Sequence, residues 1–172
     1  THVFLIQGAA DNDLIYSIAD TEGIDYVCMG HEQCCGFAAE GYAKVSGRPG
    51  VAIATSGPGG QNLLTAIANC YYDSVPAVFI TGQVNSQFIR PEGSKLRQLG
   101  FQETDIVAMA KPVTKLAVQV CRPDAVQSFL EQALWLCQDG RPGPVLLDLP
   151  IDVQRAEVEW SDLPAFIPGP SY

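Results

Sequence analysis

Residues 50–72 read GVAIATSGPGGQNLLTAIANCYY. Gly50–Thr55 is apolar up to its last residue and rich in β-branched residues, without alternating polar positions to turn towards water. A strand of that kind is covered on both faces, as in a parallel sheet. The Gly/Pro turn that follows leads into Gln61–Tyr72, whose apolar residues recur at helical spacing. The same strand–turn–helix unit recurs in both directions. Upstream, Val3–Ile6 precedes Asp11–Asp20, with Leu14, Ile15 and Ile18 on one helical face, and Ile24–Met29 precedes Glu32–Val45, which stops near Gly47. Downstream come the runs Pro76–Thr81 and Val113–Val120, the helical Asp124–Cys137 and a last strand, Pro144–Leu149. About six strands and five helices in alternation predict a three-layer α/β/α fold, a mostly parallel sheet with helices on both faces.

Composition fits this reading. The 172 residues are 47% hydrophobic and 17% charged, the balance of a chain with a large core and not of a disordered one. A net charge of −9 argues against nucleic-acid partners, which require a basic footprint. No apolar run is long enough to span a membrane, and no secretory signal precedes the first strand. The six cysteines, Cys28, Cys34, Cys35, Cys70, Cys121 and Cys137, lie mostly in apolar stretches without C-x-x-C spacing. Buried, reduced thiols in a cytoplasmic protein are the expectation, with no metal centre. The start at Thr1 and the Pro-rich segment 161–172, with Pro164, Pro168 and Pro170, suggest a domain over residues 1–160 and a linker towards a further domain.

In an open parallel sheet, ligands bind beyond the carboxyl ends of the strands. That rule selects Gln7–Asn12, Gly30–Gln33, Ser56–Asn62 and Gly82–Val84. The glycines of 55–62 either admit a ligand to the backbone or simply turn the chain. Their spacing is not that of a dinucleotide site, because the third glycine position holds Asn62, and no G-K-[ST] makes a phosphate loop. Glu32 opens a helix at the same edge, where a carboxylate offsets the helix dipole or, covered by a ligand, holds a proton near neutral pH. His31 beside it is expected to be structural. Asp73, Asp148 and Asp152 read as caps. Gln102 closes the long polar segment 83–100, either starting a helix or facing a cleft.

Seven motifs occur in a consistent order: GHEQ at 30–33, EGYAKVSG at 40–47, TSGPG at 55–59, DSVP at 73–76, TGQV at 81–84, GFQE at 100–103 and GRPGPV at 140–145. Together they resemble the N-terminal, pyrimidine-binding domain of thiamine diphosphate-dependent enzymes, in the acetolactate synthase-like branch. The resemblance implies that Glu32 hydrogen-bonds the aminopyrimidine ring and favours the imino form that deprotonates the thiazolium carbon. It implies that Pro58, Gly59 and Asn62 pack near the pyrimidine, with Gly8 and Ala9 beside the reacting centre. Gln102 is implied to lie near the substrate, and Gln83 is a weaker candidate for the same pocket. The implied substrate is a small 2-keto acid, carboligated or decarboxylated. The Gly-Asp-Gly sequence that holds diphosphate and Mg2+ in this family does not occur here. A diphosphate-binding domain of a neighbouring subunit is therefore expected, in a homodimer or homotetramer, and the chain alone is expected to be inactive. A separate subunit of a two-chain 2-keto acid decarboxylase, such as sulfopyruvate decarboxylase, and a non-catalytic scaffold are the alternatives. Ala9 and Ile151 replace a glycine and a lysine usual in acetolactate synthases, and 85–99 also differs, which points to a different 2-keto acid. Arg141 resembles an arginine near flavin adenine dinucleotide in flavin-containing members and equally suits a turn, so flavin stays open.

Overall fold

In the computed structural model, residues 1–159, 161 and 163–169 are described. Six strands form one sheet in the order β2-β1-β3-β4-β6-β5, with every neighbouring pair parallel. They are β1 (His2–Leu5), β2 (Asp25–Cys28), β3 (Gly50–Ala54), β4 (Ala77–Gln83), β5 (Leu116–Gln119) and β6 (Pro144–Pro150). The helices are α1 (Asn12–Ala19), α2 (Glu32–Ser46), α3 (Pro58–Asp73), α4 (Ile106–Ala110), α5 (Val126–Leu136) and α6 (Ile151–Arg155).

Side-chain alternation along the strands divides the core in two. Ala52, Ala54, Phe79 and Leu146 face α2, α3 and α4, packing with Cys35, Ala39, Leu63, Ile67 and Ile106. Val3, Leu5, Ile53, Val78, Ile80, Val145 and Leu147 face α1 and α5, packing with Ile15, Ala133 and Cys137. The three-layer architecture expected from the sequence is what the chain forms. All seven residues of β4 and all seven of β6 are buried, as interior strands require.

Other expectations change. β2, which carries Asp25, has all four of its residues exposed, because it lies at the sheet edge with β1 as its only neighbour among the described residues. α3 begins at Pro58, inside the glycine turn, since proline's fixed φ and missing N–H suit the first helical turn. Only Cys35, Cys70 and Cys137 are buried; Cys28, Cys34 and Cys121 are exposed, and all six are free. Burial pushes the three interior thiols up to about 12, which keeps them protonated.

The tail beyond α6 runs against α5. The Phe166 ring lies 5.6 Å from Trp135, and its N–H donates to Glu131 Oε2 at 2.8 Å. Trp160 at the expected domain boundary, Asp162, Pro170, Ser171 and Tyr172 lie outside the described residues. Among the described residues, no helix is long and apolar enough to cross a membrane.

Candidate functional site

Strand order reverses at β1, whose connections lead to β2 on one side and, through β2, to β3 on the other. The crevice beyond the carboxyl ends of β1 and β3 is therefore where a ligand is best placed. Three loops converge there, and each is fixed by its own chemistry.

The loop after β1 is held from below. Ala10 N–H donates to Thr55 Oγ1 at 3.0 Å, and Gln154 Nε2 donates to Ala10 O at 2.7 Å. It also lies hard against β4: a Cβ at Gly82 would come within 1.9 Å of Ala10 O, so no other residue fits. Asp11 Oδ1 accepts from Gly8 N–H at 2.7 Å, which folds the loop back on itself. Gly8 abuts Thr55, where a Cβ would lie 2.4 Å from the threonine Cβ. Ala9 is exposed at the rim.

The second loop sets Glu32. His31 is extended at φ −161° and caps α2, its Nδ1 accepting from Gln33 N–H at 3.1 Å. That bond leaves the neutral ring's hydrogen on Nε2, and the structural role expected for His31 is the one it has. Glu32 is the first residue of α2, partly buried, with its carboxylate at the positive end of the helix.

The third loop completes the group. Gly57 takes φ +60°, and Pro58 and Gly59 form the first turn of α3, with Pro58 exposed. One turn on, Asn62 Nδ2 donates to Glu32 Oε2 at 2.9 Å, so the amide orients the carboxylate. A Cβ at Gly59 would lie 3.4 Å from Glu32 Oε1 and 2.8 Å from Thr55 Cγ2. The surface beside Oε1 is thus bare backbone. Gly8 and Gly59 both abut Thr55, and Glu32 lies beside Gly59 and Asn62.

Gln102 reaches the same place from the far end of the long loop. It does not start a helix: it takes φ +58°, three residues before Asp105, whose side chain caps α4. Its carbonyl and Cβ press on Gly57, where a Cβ would lie 2.6 and 2.8 Å from them, and its side chain is exposed. Gln83 lines a cavity with Arg90, Glu103, Thr104 and Gln119, and its own polar atoms are all engaged. It is buried, with Nε2 donating to Thr104 O and Asp148 Oδ2 and with Oε1 accepting from Val84 N–H.

Two carboxyls matter that sequence reasoning passed over or misread. Asp11 is fully buried and its Oδ2 has no partner. Burial pushes its carboxyl up to about 6, the Gly8 N–H opposes this, and the Glu32 charge adds to it. Asp148 is not a cap: it is buried beneath the long loop, accepting from Thr81 Oγ1 at 2.7 Å, Gln83 Nε2 at 3.1 Å and Gln119 Nε2 at 2.8 Å. Burial pushes it up to about 6, against those three donors. The signal was its place inside the run Val145-Leu-Leu-Asp-Leu149, where any polar side chain has to be buried. The other two aspartates serve elsewhere: Asp73 pairs with Lys44, and Asp152 accepts from Ser86. Arg141 lies at the opposite end of the sheet, where its Nε donates to Ser74 Oγ at 2.7 Å beside the end of α3. Among the described residues, no group of three or more His, Cys, Asp or Glu side chains is gathered for a metal ion.

The chain is similar to known proteins over most of its length. The acetolactate synthase large subunit of Corynebacterium glutamicum is 44% identical over 171 residues, covering 96% of this chain and 26% of that protein. Acetolactate synthase 3, chloroplastic, of Brassica napus is 41% identical over 169 residues, covering 97% and 25% respectively. The large subunit of Buchnera aphidicola subsp. Schizaphis graminum is 38% identical over 154 residues, covering 90% and 26%. The chain thus spans about a quarter of the length of the curated relatives it matches. Residues 1–109 match the family described as "Thiamine pyrophosphate enzyme, N-terminal TPP binding domain". By that match, which takes in Gly8, Glu32, the glycine turn and Gln102 together, the chain belongs to the N-terminal TPP-binding domain family of thiamine pyrophosphate enzymes.

Proposed function

We propose that this chain is the pyrimidine-binding part of a thiamine diphosphate-dependent enzyme that carboligates or decarboxylates a small 2-keto acid. The observation that carries the reading is Glu32: a carboxylate at a helix start, oriented through Oε2 by Asn62, with Oε1 beside the side-chain-free surface of Gly59. A flat heterocycle with a ring nitrogen fits that arrangement, because any side chain at Gly59 would meet Thr55 and crowd Oε1. Glu32 holds the proton shared with that nitrogen. Asn62 keeps the carboxyl from rotating, while Gly8, Gly59 and Pro58 shape the walls. Thiamine diphosphate, when bound, supplies the electron sink that a 2-keto acid needs in order to lose carbon dioxide.

Gln102 and Ala9 stand at the substrate side, and Ala9 and Ile151 set which 2-keto acid is accepted. Diphosphate and Mg2+ fall to a partner domain outside this chain, since Mg2+ requires an oxygen-ligand set that bridges to phosphate. That division makes the working unit a homodimer or homotetramer, which we place in the cytoplasm. Arg141 serves the turn before β6, and no flavin is required for the chemistry assigned to Glu32.

Glu32→Gln tests the reading in the intact protein that carries this chain. The amide oxygen still accepts from Asn62, so thermal unfolding should be unchanged. Turnover of a 2-keto acid should fall by about 100- to 10,000-fold, the range for a lost proton-transfer group. Wild-type turnover in the variant would remove Glu32 from the mechanism.

A further inference from the structure

The buried amide of Gln83 has a task that the cofactor site does not explain by itself. Its Oε1 accepts from Val84 N–H at 3.0 Å, which turns Nε2 inward. There the two amide hydrogens go to Asp148 Oδ2 at 3.1 Å and to Thr104 O at 2.9 Å. Asp148 is itself fixed by Thr81 and Gln119. The Thr104 carbonyl is therefore pinned to the sheet by a side chain that cannot rotate without leaving buried donors unpaired.

Thr104 is two residues from Gln102. Between them Glu103 is buried, its Oε2 accepting from Leu99 N–H at 3.0 Å, and its own N–H donates to Gly100 O at 3.1 Å. On the other side, Gln102 presses on Gly57 at the glycine turn. A glutamine at φ +58° is held in a sparsely populated backbone region, which persists only where the surroundings dictate it. The fixed points on either side of it are Gln83 and Gly57.

We propose that Gln83, aimed by Asp148, is a positioning residue that holds the Thr104 carbonyl and thereby places Gln102 at the substrate side of the site. The proposal rests on the reading of Gln102 given above. It makes Gln83 act through the backbone of the long loop and not by touching substrate or cofactor.

The test compares Gln83→Met with Gln119→Met in the intact protein that carries this chain. Each removes one amide donor to Asp148 Oδ2, but only the first frees Thr104. Amide hydrogen exchange at residues 103–105, without cofactor, reads the hold on the loop; KM and kcat for pyruvate, as the probe 2-keto acid, read the site. Gln83→Met should speed exchange by about 10-fold or more. It should raise KM about 10-fold with kcat within about 3-fold. Gln119→Met should match the wild type in both. If Gln83→Met does not fold, Gln83→Asn, which withdraws the amide by one methylene, takes its place with the same expected results. Equal effects of the Gln83 and Gln119 variants would overturn the proposal, as would faster exchange with KM unchanged. A wild-type protein that does not bind thiamine diphosphate would instead defeat the reading of the site, and exchange at residues 103–105 would then decide the hold by itself.

Discussion

Asp11 carries a penalty that pH controls. Its carboxyl titrates near 3.8 in an ordinary environment and at about 6 in the fold, where burial dominates. The folded state therefore keeps a proton that the unfolded chain releases first. Below about pH 4 both states are protonated and the group costs nothing. Between about pH 4 and 6 the folded state loses ground, and above pH 6 the loss is complete, on the order of 3 kcal/mol for two pH units. Asp11→Asn removes the titration and retains an oxygen for Gly8 N–H. It should match the wild type in urea unfolding at pH 4 and exceed it by up to ~3 kcal/mol at pH 7.5; an equal difference at both pH values would contradict the assigned cause. Glu32 was legible in the sequence, because an apolar strand followed at once by an acidic helix start marks a definite edge of the sheet. Asp11 was not, since its burial depends on Gly82 of a distant strand admitting Ala10.

At the scale of elements, α2 and α3 form the scaffold that brings Glu32 and Asn62 together. Behind the site, buried Glu40 accepts from Asn69 Nδ2 at 2.9 and 2.8 Å and from Lys44, which also reaches Asp73. At the crossing, a Cβ on Gly36 would lie 2.4 Å from Ala66 Cβ, which has no flexible end to move aside. Gly36→Ala gains up to ~1 kcal/mol of helix propensity. Overpacking should outweigh that gain by about 1–2 kcal/mol and separate the helices. Ala66→Gly in the same chain should restore most of the loss, and a double-mutant cycle on unfolding free energies reads the coupling. Simple additivity would mean that the two positions do not touch. The interior strands were readable because each is dominated by apolar residues, with Thr81, Gln83 and Asp148 as the polar exceptions. The five-residue helices α4 and α6 were not, being too short to show a period. The start of α3 was misplaced because Pro58 reads first as a breaker and acts as a first-turn residue.

On the function proposed above, the whole molecule supplies one part of a larger chemical apparatus. It orients a carboxylate but, among the described residues, gathers no metal-ligand group, and it spans about a quarter of its relatives' length. Supplied alone with thiamine diphosphate and Mg2+, it should not consume pyruvate in a coupled assay, and turnover would contradict the division of labour proposed. Layering was legible from the alternation of strands and helices. Strand order was not, because which edge accepts β6 depends on surfaces that only the assembled sheet offers.

That order bears on how the polypeptide is made. β6 follows the other five strands of this sheet in sequence, yet it lies inside the sheet, between β4 and β5. Until it emerges from the ribosome, β5 has no neighbour of its own and the seven-residue edge of β4 stays open. A chain interrupted after Cys137 would expose both to whatever other strands are near. Asp148 arrives with β6, so Gln83 and Gln119 wait for their shared acceptor until the final strand inserts. If Gln83 holds the long loop as proposed, that loop is drawn into place only then, late in the folding of these residues.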